Sequence, residues 1–126
     1  MTKTKPADHD PESAKKLPLT PATFQILMSL VDGEQHGYAI MKEVEERTDG
    51  AVRLGPGTLY GSLKRLLEDG LVDEGAERAD PELGDERRRY YRITKFGVAV
   101  ARAEARRLES VLRTARQKKL IGWRPA

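Results

Sequence analysis

The chain has 126 residues, of which 38% are hydrophobic and 34% are charged, a composition typical of one small domain with an ionic surface. It contains no cysteine, which excludes disulfide frameworks, thiolate metal sites and thiol nucleophiles. The N-terminal residues lack the apolar stretch of a signal peptide, and no apolar run elsewhere reaches the length of a membrane span. We therefore expect a cytoplasmic protein with no membrane partner.

The charge is unevenly distributed along the chain. A formal net charge of +3 and a pI near 9.3 hint at a polyanionic partner. Residues 19–94 carry ten Lys and Arg against fifteen Asp and Glu, a net charge of −5, whereas residues 95–126 carry nine against two, a net charge of +7. The overall charge of the middle segment therefore argues slightly against DNA binding, and only the local placement of its basic residues favours it.

The predicted elements begin after a polar arm. Residues 1–18 show no hydrophobic period and have the composition of a disordered segment. Thr20 followed by Pro21 is typical of an N-cap and a first helical turn. Apolar residues then recur at helical spacing: Phe24, Leu27, Leu30 and Val31. These signals predict a first helix over about residues 21–31.

Two further helices are predicted from the same spacing rule. The one that follows His36 ends near Asp49-Gly50, and its apolar stripe is Ile40, Met41 and Val44. The third helix opens at Gly55-Pro56, and its apolar stripe is Leu59, Leu63, Leu66 and Leu67. Gly70 is a candidate for the left-handed residue that ends this third helix.

The hydrophobic period then changes. Residues 71–78 and 87–93 show the pattern of two strands joined by a turn-rich loop, which predicts a β-hairpin. Thr94 can cap a last helix over residues 95–120. Its apolar residues recur in steps of three and four: Val98, Ala101, Ala105, Leu108, Leu112 and Ala115. Because a lone helix would leave this stripe in water, we expect it to form a dimer seam, with docking on the chain's own first helix as the alternative.

The order of these elements predicts the fold class. Three short helices followed by a β-hairpin are the plan of the winged helix-turn-helix, a mainly α fold with a small β part. We assign this domain to residues 19–94, a dimerisation helix to residues 95–120 and a tail to residues 121–126. In this plan the third helix enters the major groove of double-stranded DNA, while the hairpin, called the wing, lies against the DNA backbone.

Four separated segments between about residues 19 and 100 carry a family pattern. They are His36-Gly37-Tyr38-Ala39-Ile40, then Leu59-Tyr60-Gly61-Ser62-Leu63-Lys64-Arg65-Leu66 with Gly70-Leu71-Val72, then Arg88-Arg89-Tyr90-Tyr91-Arg92-Ile93-Thr94, and Gly97. In these segments the chain resembles the PadR family of bacterial transcriptional regulators. The chain departs from the family pattern at Gly61, where proline is usual, and at Gly55, where serine is usual.

The resemblance implies further expectations about partners. It implies a homodimer joined mainly by the C-terminal helix, a third helix that reads DNA, a wing, and repression as the usual outcome. In members of this family a cavity near the dimer helices can hold a small apolar effector, and Trp123 is a candidate wall of that cavity. A loose tail or a packing lid is the alternative role of Trp123.

Burying the leucines of the third helix leaves its polar residues as candidate DNA contacts. These residues are Thr58, Tyr60, Ser62, Lys64 and Arg65. Small polar groups together with Lys and Arg are what base edges and phosphates require. Arg65 is the candidate for a guanine and Lys64 for a phosphate, although helix geometry can exchange these roles. An ordinary solvated face is the alternative for the helix, and packing under the wing is the alternative for Tyr60.

The wing and the start of the second helix supply the remaining candidate contacts. The arginines of the strand at residues 87–93 are Arg87, Arg88, Arg89 and Arg92, and because they alternate across it, at most about half of them share one face. Contact with DNA competes there with cross-strand pairing to acidic residues. Tyr38 is a candidate phosphate contact at the positive end of the second helix, and closing the first helical turn is its alternative. Tyr90 and Tyr91 must point to opposite faces, so one of them is expected in the core.

The sequence gives little support to a metal site, a cofactor site or a catalytic site. His9 and His36 are far apart and have no companion ligands, so we expect surface residues and no metal or cofactor. The acidic cluster around Glu43 lacks a nucleophile or a glycine-rich phosphate loop, which argues against an enzyme. The main alternative to a DNA-binding regulator is a winged-helix module that binds other proteins, because such a module needs no basic helix.

Overall fold

The computed structural model of the protein describes residues 11–79 and 87–122. Its elements, in chain order, are α1 (Pro11–Ala14), α2 (Pro21–Val31), β1 (Gln35–His36), α3 (Gly37–Arg47), α4 (Pro56–Glu68), β2 (Val72–Ala79), β3 (Arg87–Ile93) and α5 (Lys95–Gln117). Helices α2, α3 and α4 followed by the hairpin β2–β3 form the predicted winged helix-turn-helix. The long helix α5 follows the hairpin, as the sequence pattern indicates.

The predicted ends of these elements are confirmed by their capping geometry. The Thr20 hydroxyl accepts a hydrogen bond from the Thr23 N–H at 3.1 Å, and the Thr94 hydroxyl accepts one from the Gly97 N–H at 2.9 Å. Each bond satisfies a backbone donor that has no partner within its own helix. Gly70 has a φ of 79°, the left-handed conformation that glycine adopts without strain. Local chemistry therefore sets where these helices begin and end.

The sheet contains one strand that the sequence pattern does not predict. Its order is β1-β3-β2 with antiparallel neighbours, and β1 pairs Gln35 with Tyr91 and His36 with Tyr90. A two-residue strand is too short to show any hydrophobic alternation. The β2–β3 ladder is irregular between Glu74 and Glu77. Strand β1 ties the start of α3 to the wing.

The core lies where α2, α3 and α4 meet the sheet and the first turns of α5. Its fully buried side chains include Ile26, Leu27, Leu30, Ile40, Val44, Leu59, Leu63 and Val100. Most residues of the predicted apolar stripes of α2, α3 and α4 are therefore buried, as the sequence predicts. Val31 departs from its predicted stripe, because 53% of its surface is exposed. It is the last residue of α2, directly before the C-cap Asp32.

The prediction that residues 1–18 form a disordered arm is wrong for its second half. Residues 11–14 form α1, and Ser13 is completely buried. Leu17 and Leu19 pack against the core. Apolar contacts with the rest of the domain therefore order a segment whose composition alone suggests disorder. Residues 1–10 lie outside the part of the chain that the structure describes.

A buried carboxylate anchors this N-terminal segment to α5. Only 2% of the Glu104 side chain is exposed. It accepts hydrogen bonds from Arg107 Nη2 at 2.7 Å, from Arg107 Nε at 2.9 Å and from the Leu19 N–H at 3.4 Å. The hydrogen bonds from Arg107 hold the pKa of Glu104 below its ordinary value, against the opposing effect of burial. The carboxylate therefore stays charged in the folded state.

This depressed pKa predicts how stability depends on pH. The contribution of Glu104 is fully present above the ordinary pKa of a glutamate and is lost as the pH falls through the lower pKa of the folded state. We expect Glu104→Gln to lower the free energy of unfolding at pH 7 by about 1–3 kcal/mol, and the difference from the parent to shrink at lower pH. Urea denaturation at several pH values measures both. Glu109→Gln, at an exposed position of α5, is the control, and a pH-independent difference for Glu104→Gln would contradict the assignment.

Gly97 marks the closest approach of α5 to the rest of the domain. A Cβ at this position would overlap the Leu71 carbonyl oxygen and lie 2.7 Å from Ile93 Cγ1. Because backbone atoms cannot move aside cheaply, we expect Gly97→Ala to lower the free energy of unfolding by about 1–3 kcal/mol or more. Chemical denaturation measures this loss. Gly57→Ala is the control, since a Cβ there meets nothing within 4 Å, and equal stability of the two variants would refute the close approach.

The two halves of α5 have different surroundings. Its first half contributes Val100, Ala101 and Ala103 to the buried interior. The prediction that Ala101 belongs to an open dimer seam is therefore wrong, because Ala101 is only 8% exposed and packs in the subunit's own core. Val98 is partly buried in the same region. The alternative of docking on the chain's own first predicted helix, α2, agrees with the contacts between α2 and α5, and the second half of α5 projects beyond the core.

Candidate nucleic-acid interface

Helix α4 presents a polar face to solvent. Leu59, Leu63 and Leu66 are buried beneath it. Four of the predicted contact residues are exposed on it: Thr58, Tyr60, Lys64 and Arg65. The leucine stripe therefore orients the helix as the sequence predicts.

Ser62 is the exception on this helix. The prediction that its side chain faces outward is wrong, because only 3% of its surface is exposed. Ser62 lines a small cavity together with Pro18, Leu19 and Thr20 of the N-terminal segment. That segment covers the flank of α4 on which Ser62 lies, which removes Ser62 from the exposed face.

Tyr60 joins α4 to the start of α3. Its hydroxyl occupies the space where a side chain at Gly37 would begin, so glycine at that position allows the two helices to meet. The ring nevertheless keeps 44% of its surface exposed. Tyr60 is therefore held in place at one end and remains accessible, and it contacts the first residue of α3, directly after strand β1.

His36 caps α3, and the prediction that it is a surface residue is wrong. It is only 8% exposed, and its Nδ1 accepts a hydrogen bond from the Ala39 N–H at 3.1 Å. This bond requires an unprotonated Nδ1. The ring also meets Tyr90 edge-on, with centroids 5.2 Å apart, and stacks with Tyr38 at 6.5 Å. His36 stands directly before the start of a helix, where capping side chains are common, so its position in the sequence indicates this role.

Tyr38 and Arg88 meet at the junction of α3 and the wing. The Arg88 guanidinium carbon lies 5.2 Å from the centroid of the Tyr38 ring, within the range of a cation–π contact. Tyr38 keeps 45% of its surface exposed while its ring packs against His36 and Arg88, which fits a partly buried ring at the first turn of α3 that is also accessible to a phosphate. The structure thus brings a wing arginine to the positive end of a helix on the exposed side of the domain. We call Tyr38, Arg88 and Tyr60 the wing-junction cluster.

Two further arginines of β3, Arg89 and Arg92, pair with acidic residues. Arg89 Nη1 lies 3.1 Å from Glu74 Oε2, and Arg92 Nη1 lies 3.3 Å from Glu34 Oε2. Both arginines are half exposed, so these pairs contribute little to stability and can open at small cost. The side chain of Arg87 and residues 80–86 lie outside the described part of the chain.

Tyr90 and Tyr91 point to opposite faces of β3, as predicted. Tyr91 is the core residue, with 6% of its surface exposed. Burial raises the pKa of Tyr91, and the Glu74 carboxylate adds to this effect. The neutral phenol therefore belongs to the core, while Tyr90 packs against His36 at the junction.

An apolar groove runs along the exposed second half of α5. It has a volume of about 650 Å³. Its apolar lining consists of Phe24, Ala105, Leu108 and Leu112, and the charged residues Arg102, Arg106 and Glu109 flank it. Leu112 keeps 47% of its surface exposed. The groove therefore joins three residues of the predicted dimer seam into one surface, with Phe24 of α2 as a member that the sequence analysis does not assign to it.

The remaining seam residue, Ala115, lies on a neighbouring surface. It lines a second shallow depression with Val111 and Leu120, which are 52% and 79% exposed. Trp123, the candidate wall of an effector cavity, lies outside the described residues.

Other kinds of site are not found in the described ranges. Across residues 11–79 and 87–122, no three His, Asp or Glu side chains gather as a metal site requires. None of the described helices combines the length and apolarity needed to cross a bilayer.

Comparison with known proteins agrees with this architecture. Residues 26–103 match the model of the PadR-like family of transcriptional regulators. A transcriptional regulator of Mycobacterium tuberculosis is 35% identical over 90 residues, which cover 71% of this chain and 78% of the relative. Two uncharacterised proteins match over shares below two thirds of their own length. One, encoded in a transposon of Streptomyces fradiae, is 47% identical over 51 residues, 14% of its length, and one of Lysinibacillus sphaericus is 32% identical over 74 residues, 65% of its length.

Solved structures share the fold. A transcriptional regulator of Clostridium thermocellum has a TM-score of 0.64 at 26% identity and covers 75% of this chain and 89% of its own. A PadR family regulator of Clostridium difficile has a TM-score of 0.66 at 24% identity, with coverages of 78% and 97%. PadR of Bacillus subtilis, solved in complex with operator DNA, has a TM-score of 0.54 at 19% identity, with coverages of 86% and 51%.

The family assignment and the geometry agree on the class of protein. The matched residues 26–103 include α3, α4, the wing and the first turns of α5. The family consists of transcriptional regulators and not of enzymes. The chain belongs to the PadR-like family of transcriptional regulators.

Proposed function

We propose that this protein is a sequence-specific DNA-binding repressor that acts as a homodimer. Each subunit places α4 in a major groove of an inverted-repeat operator, and repression follows where the operator overlaps a promoter. The observation that carries the proposal is the exposed face of α4, on which Lys64 and Arg65 stand in solvent above a buried leucine stripe.

The wing-junction cluster supports this orientation of the domain. Arg88 and Tyr38 lie at the N-terminus of α3, where the helix dipole favours a phosphate. Tyr60 connects α4 to the same point through Gly37. A backbone phosphate at this junction would fix the register of α4 without reading sequence, while α4 supplies the contacts to base edges. The operator complex of Bacillus subtilis PadR gives a precedent for DNA as the partner of this fold.

The groove on α5 supports a homodimer. An exposed apolar surface flanked by charges is typical of a helix that packs against another copy. Leu108 and Leu112 offer the apolar contact, and Ala105 allows a close approach of the two helix backbones. We also propose that a small apolar effector binds next to these helices and releases the DNA, because the lining of the groove is largely apolar.

A protein-binding module is the second candidate function. The net charge of −5 over residues 19–94 favours it, because this charge repels the DNA backbone. Fluorescence anisotropy with duplexes from the region upstream of the gene separates the two functions. A repressor binds one duplex more tightly than its shuffled sequence, and the affinity falls with salt in proportion to the phosphates it contacts. Equal weak binding to every duplex at low salt would favour the protein-binding module.

A substitution at Gly61 is expected to change the stability of the protein and its affinity for DNA in opposite directions. It lies inside α4, where the nearest atom to an added Cβ is Arg65 Nη1 at 4.0 Å. We expect Gly61→Ala to raise the free energy of unfolding by about 0.5–1 kcal/mol, because alanine favours the helix. We expect it to lower the DNA affinity, because the methyl group stands between the helix backbone and the groove. Denaturation and anisotropy measure the two effects, and a variant that binds DNA as tightly as the parent would show that the backbone does not approach the DNA here.

A further inference from the structure

A small cavity separates the N-terminal segment from the flank of α4. Its volume is about 170 Å³. The polar residues that line it are Lys16, Thr20, Thr23, Ser62, Arg65 and Asp69. A space of this size suits a small ion or a short metabolite, and not the drug-sized molecules that occupy larger pockets.

Ser62 is the residue of this cavity whose position calls for an explanation. Its side chain is 3% exposed. No hydrogen bond joins its hydroxyl to another described residue, whereas Thr20 and Thr23, at the start of α2, are bonded to each other. Among the described residues Arg116 Nε is the buried side-chain atom that lacks a partner, and the Ser62 hydroxyl is not of that kind. Because Ser62 lines the cavity, its hydroxyl is free to bond a ligand there.

The threonines at the start of α2 add a second donor and a favourable field. Thr20 Oγ1 accepts from the Thr23 N–H and donates to Thr23 Oγ1 at 2.9 Å. The proton of the Thr23 hydroxyl therefore remains available to a ligand. Thr20 is the N-cap of an 11-residue helix, and the positive end of such a helix favours negative charge nearby.

The charged residues of the cavity also favour an anion. Lys16 Nζ lies 3.8 Å from Asp69 Oδ1, in a loose pair whose members are 35% and 52% exposed. Lys16 can therefore turn toward a ligand at little cost. Arg65 forms no ion pair with a described acidic residue. With one acid against two bases, the three charged side chains of the cavity leave it with one net positive charge.

We propose that this cavity binds a small oxyanion, a phosphate or carboxylate group held by the hydroxyls of Ser62 and Thr23 and by the side chains of Lys16 and Arg65. The oxyanion belongs either to a free small molecule or to the backbone of bound DNA. Arg65 is both a wall of the cavity and a candidate DNA contact, so a free anion would hold Arg65 away from the DNA. This last consequence rests on the proposed function, whereas the binding of the oxyanion does not.

The test is a titration of the full chain with inorganic phosphate. Sodium phosphate replaces sodium chloride at constant ionic strength, and amide resonances of isotope-labelled protein report binding. We expect saturable shifts at Thr23 and Ser62, and an affinity at least about tenfold lower for Ser62→Ala, which corresponds to the loss of a charge-assisted hydrogen bond. Ser110→Ala, at an exposed position of α5, should bind phosphate as the parent does. Shifts that do not saturate, or that persist unchanged in Ser62→Ala, would overturn the proposal.

DNA binding in phosphate-free buffer identifies the source of the oxyanion. If Ser62→Ala loses phosphate binding but keeps the parent's DNA affinity, the ligand is a free anion, and added phosphate should weaken DNA binding by the parent only. If Ser62→Ala loses affinity for both, the ligand is a DNA phosphate. Ser62→Ala is expected to fold, because alanine favours the helix and the hydroxyl it removes has no partner. Saturable phosphate binding without any DNA binding would support the site while refuting the proposed function.

Discussion

Replacing Lys64 and Arg65 together by alanine is expected to lower the affinity for operator DNA by at least roughly 10- to 100-fold. Both side chains are exposed on α4, so neither substitution disturbs the core. A bidentate contact from arginine to guanine discriminates by about 1–3 kcal/mol, and each lost phosphate contact reduces the salt slope by about one. Anisotropy at several salt concentrations measures the affinity and the slope together.

The matched control for this variant is Arg113→Ala with Lys118→Ala. It removes the same two kinds of charge from exposed positions near the end of α5. If the affinity depends on net charge alone, the two double variants should weaken binding equally. A loss confined to the α4 variant identifies α4 as the reading helix, and equal losses would contradict that assignment.

Leu112→Glu is expected to convert the dimer to a monomer. Leu112 contributes to the apolar groove of α5 and is 47% exposed in the subunit. In a two-fold dimer the substitution would bury two carboxylates without partners, which is strongly unfavourable. We expect the dissociation constant of the dimer to rise at least about 100-fold, the equivalent of roughly 3 kcal/mol. Sedimentation equilibrium measures this constant.

Val111→Glu is the matched control for the dimer prediction. Val111 is the preceding residue of the same helix, is 52% exposed, and lines the neighbouring depression instead of the groove. It introduces the same charge at almost the same place in the chain. A variant at Val111 that dissociates as readily as the one at Leu112 would show that the groove is not the dimer seam. Circular dichroism checks that both variants keep their helices.

Local sequence signals predict most of the winged helix. The leucine stripe of α4 is regular enough to orient that helix, and Thr20 and Thr94 cap helices through bonds within one turn of the chain. The change of hydrophobic period after Gly70 predicts the wing, and the four family segments agree with the order of the elements. These features depend on residues close together in sequence, which is why they can be predicted.

The features that were missed depend on contacts between distant residues. Ser62 is buried because the segment around Leu19 covers its side of α4. The spacing of apolar residues within α4 cannot predict this contact, because the covering segment is distant in sequence. The segment is held in turn by Glu104, 85 residues away. The fit of Gly97 against Leu71 and the use of His36 as a cap likewise appear only when the elements are packed.

These contacts also change the description of the candidate site. The sequence predicts a single row of contact residues on α4. In the structure Tyr60 is tied to α3 through Gly37, and Arg88 lies over Tyr38. Arg65 instead borders the cavity on the opposite flank of α4. Lys64 therefore stands between a flank that meets α3 and a flank that borders the cavity.

A hydroxyl-radical footprint on the DNA upstream of the gene is the most direct test of a dimeric regulator that reads DNA with α4. We expect two protected patches with inverted sequence symmetry, about one helical turn apart, because each subunit places one reading helix in a successive major groove. Protection should disappear for the Lys64 and Arg65 double variant. A single unsymmetrical patch, or protection that survives in that variant, would contradict the account.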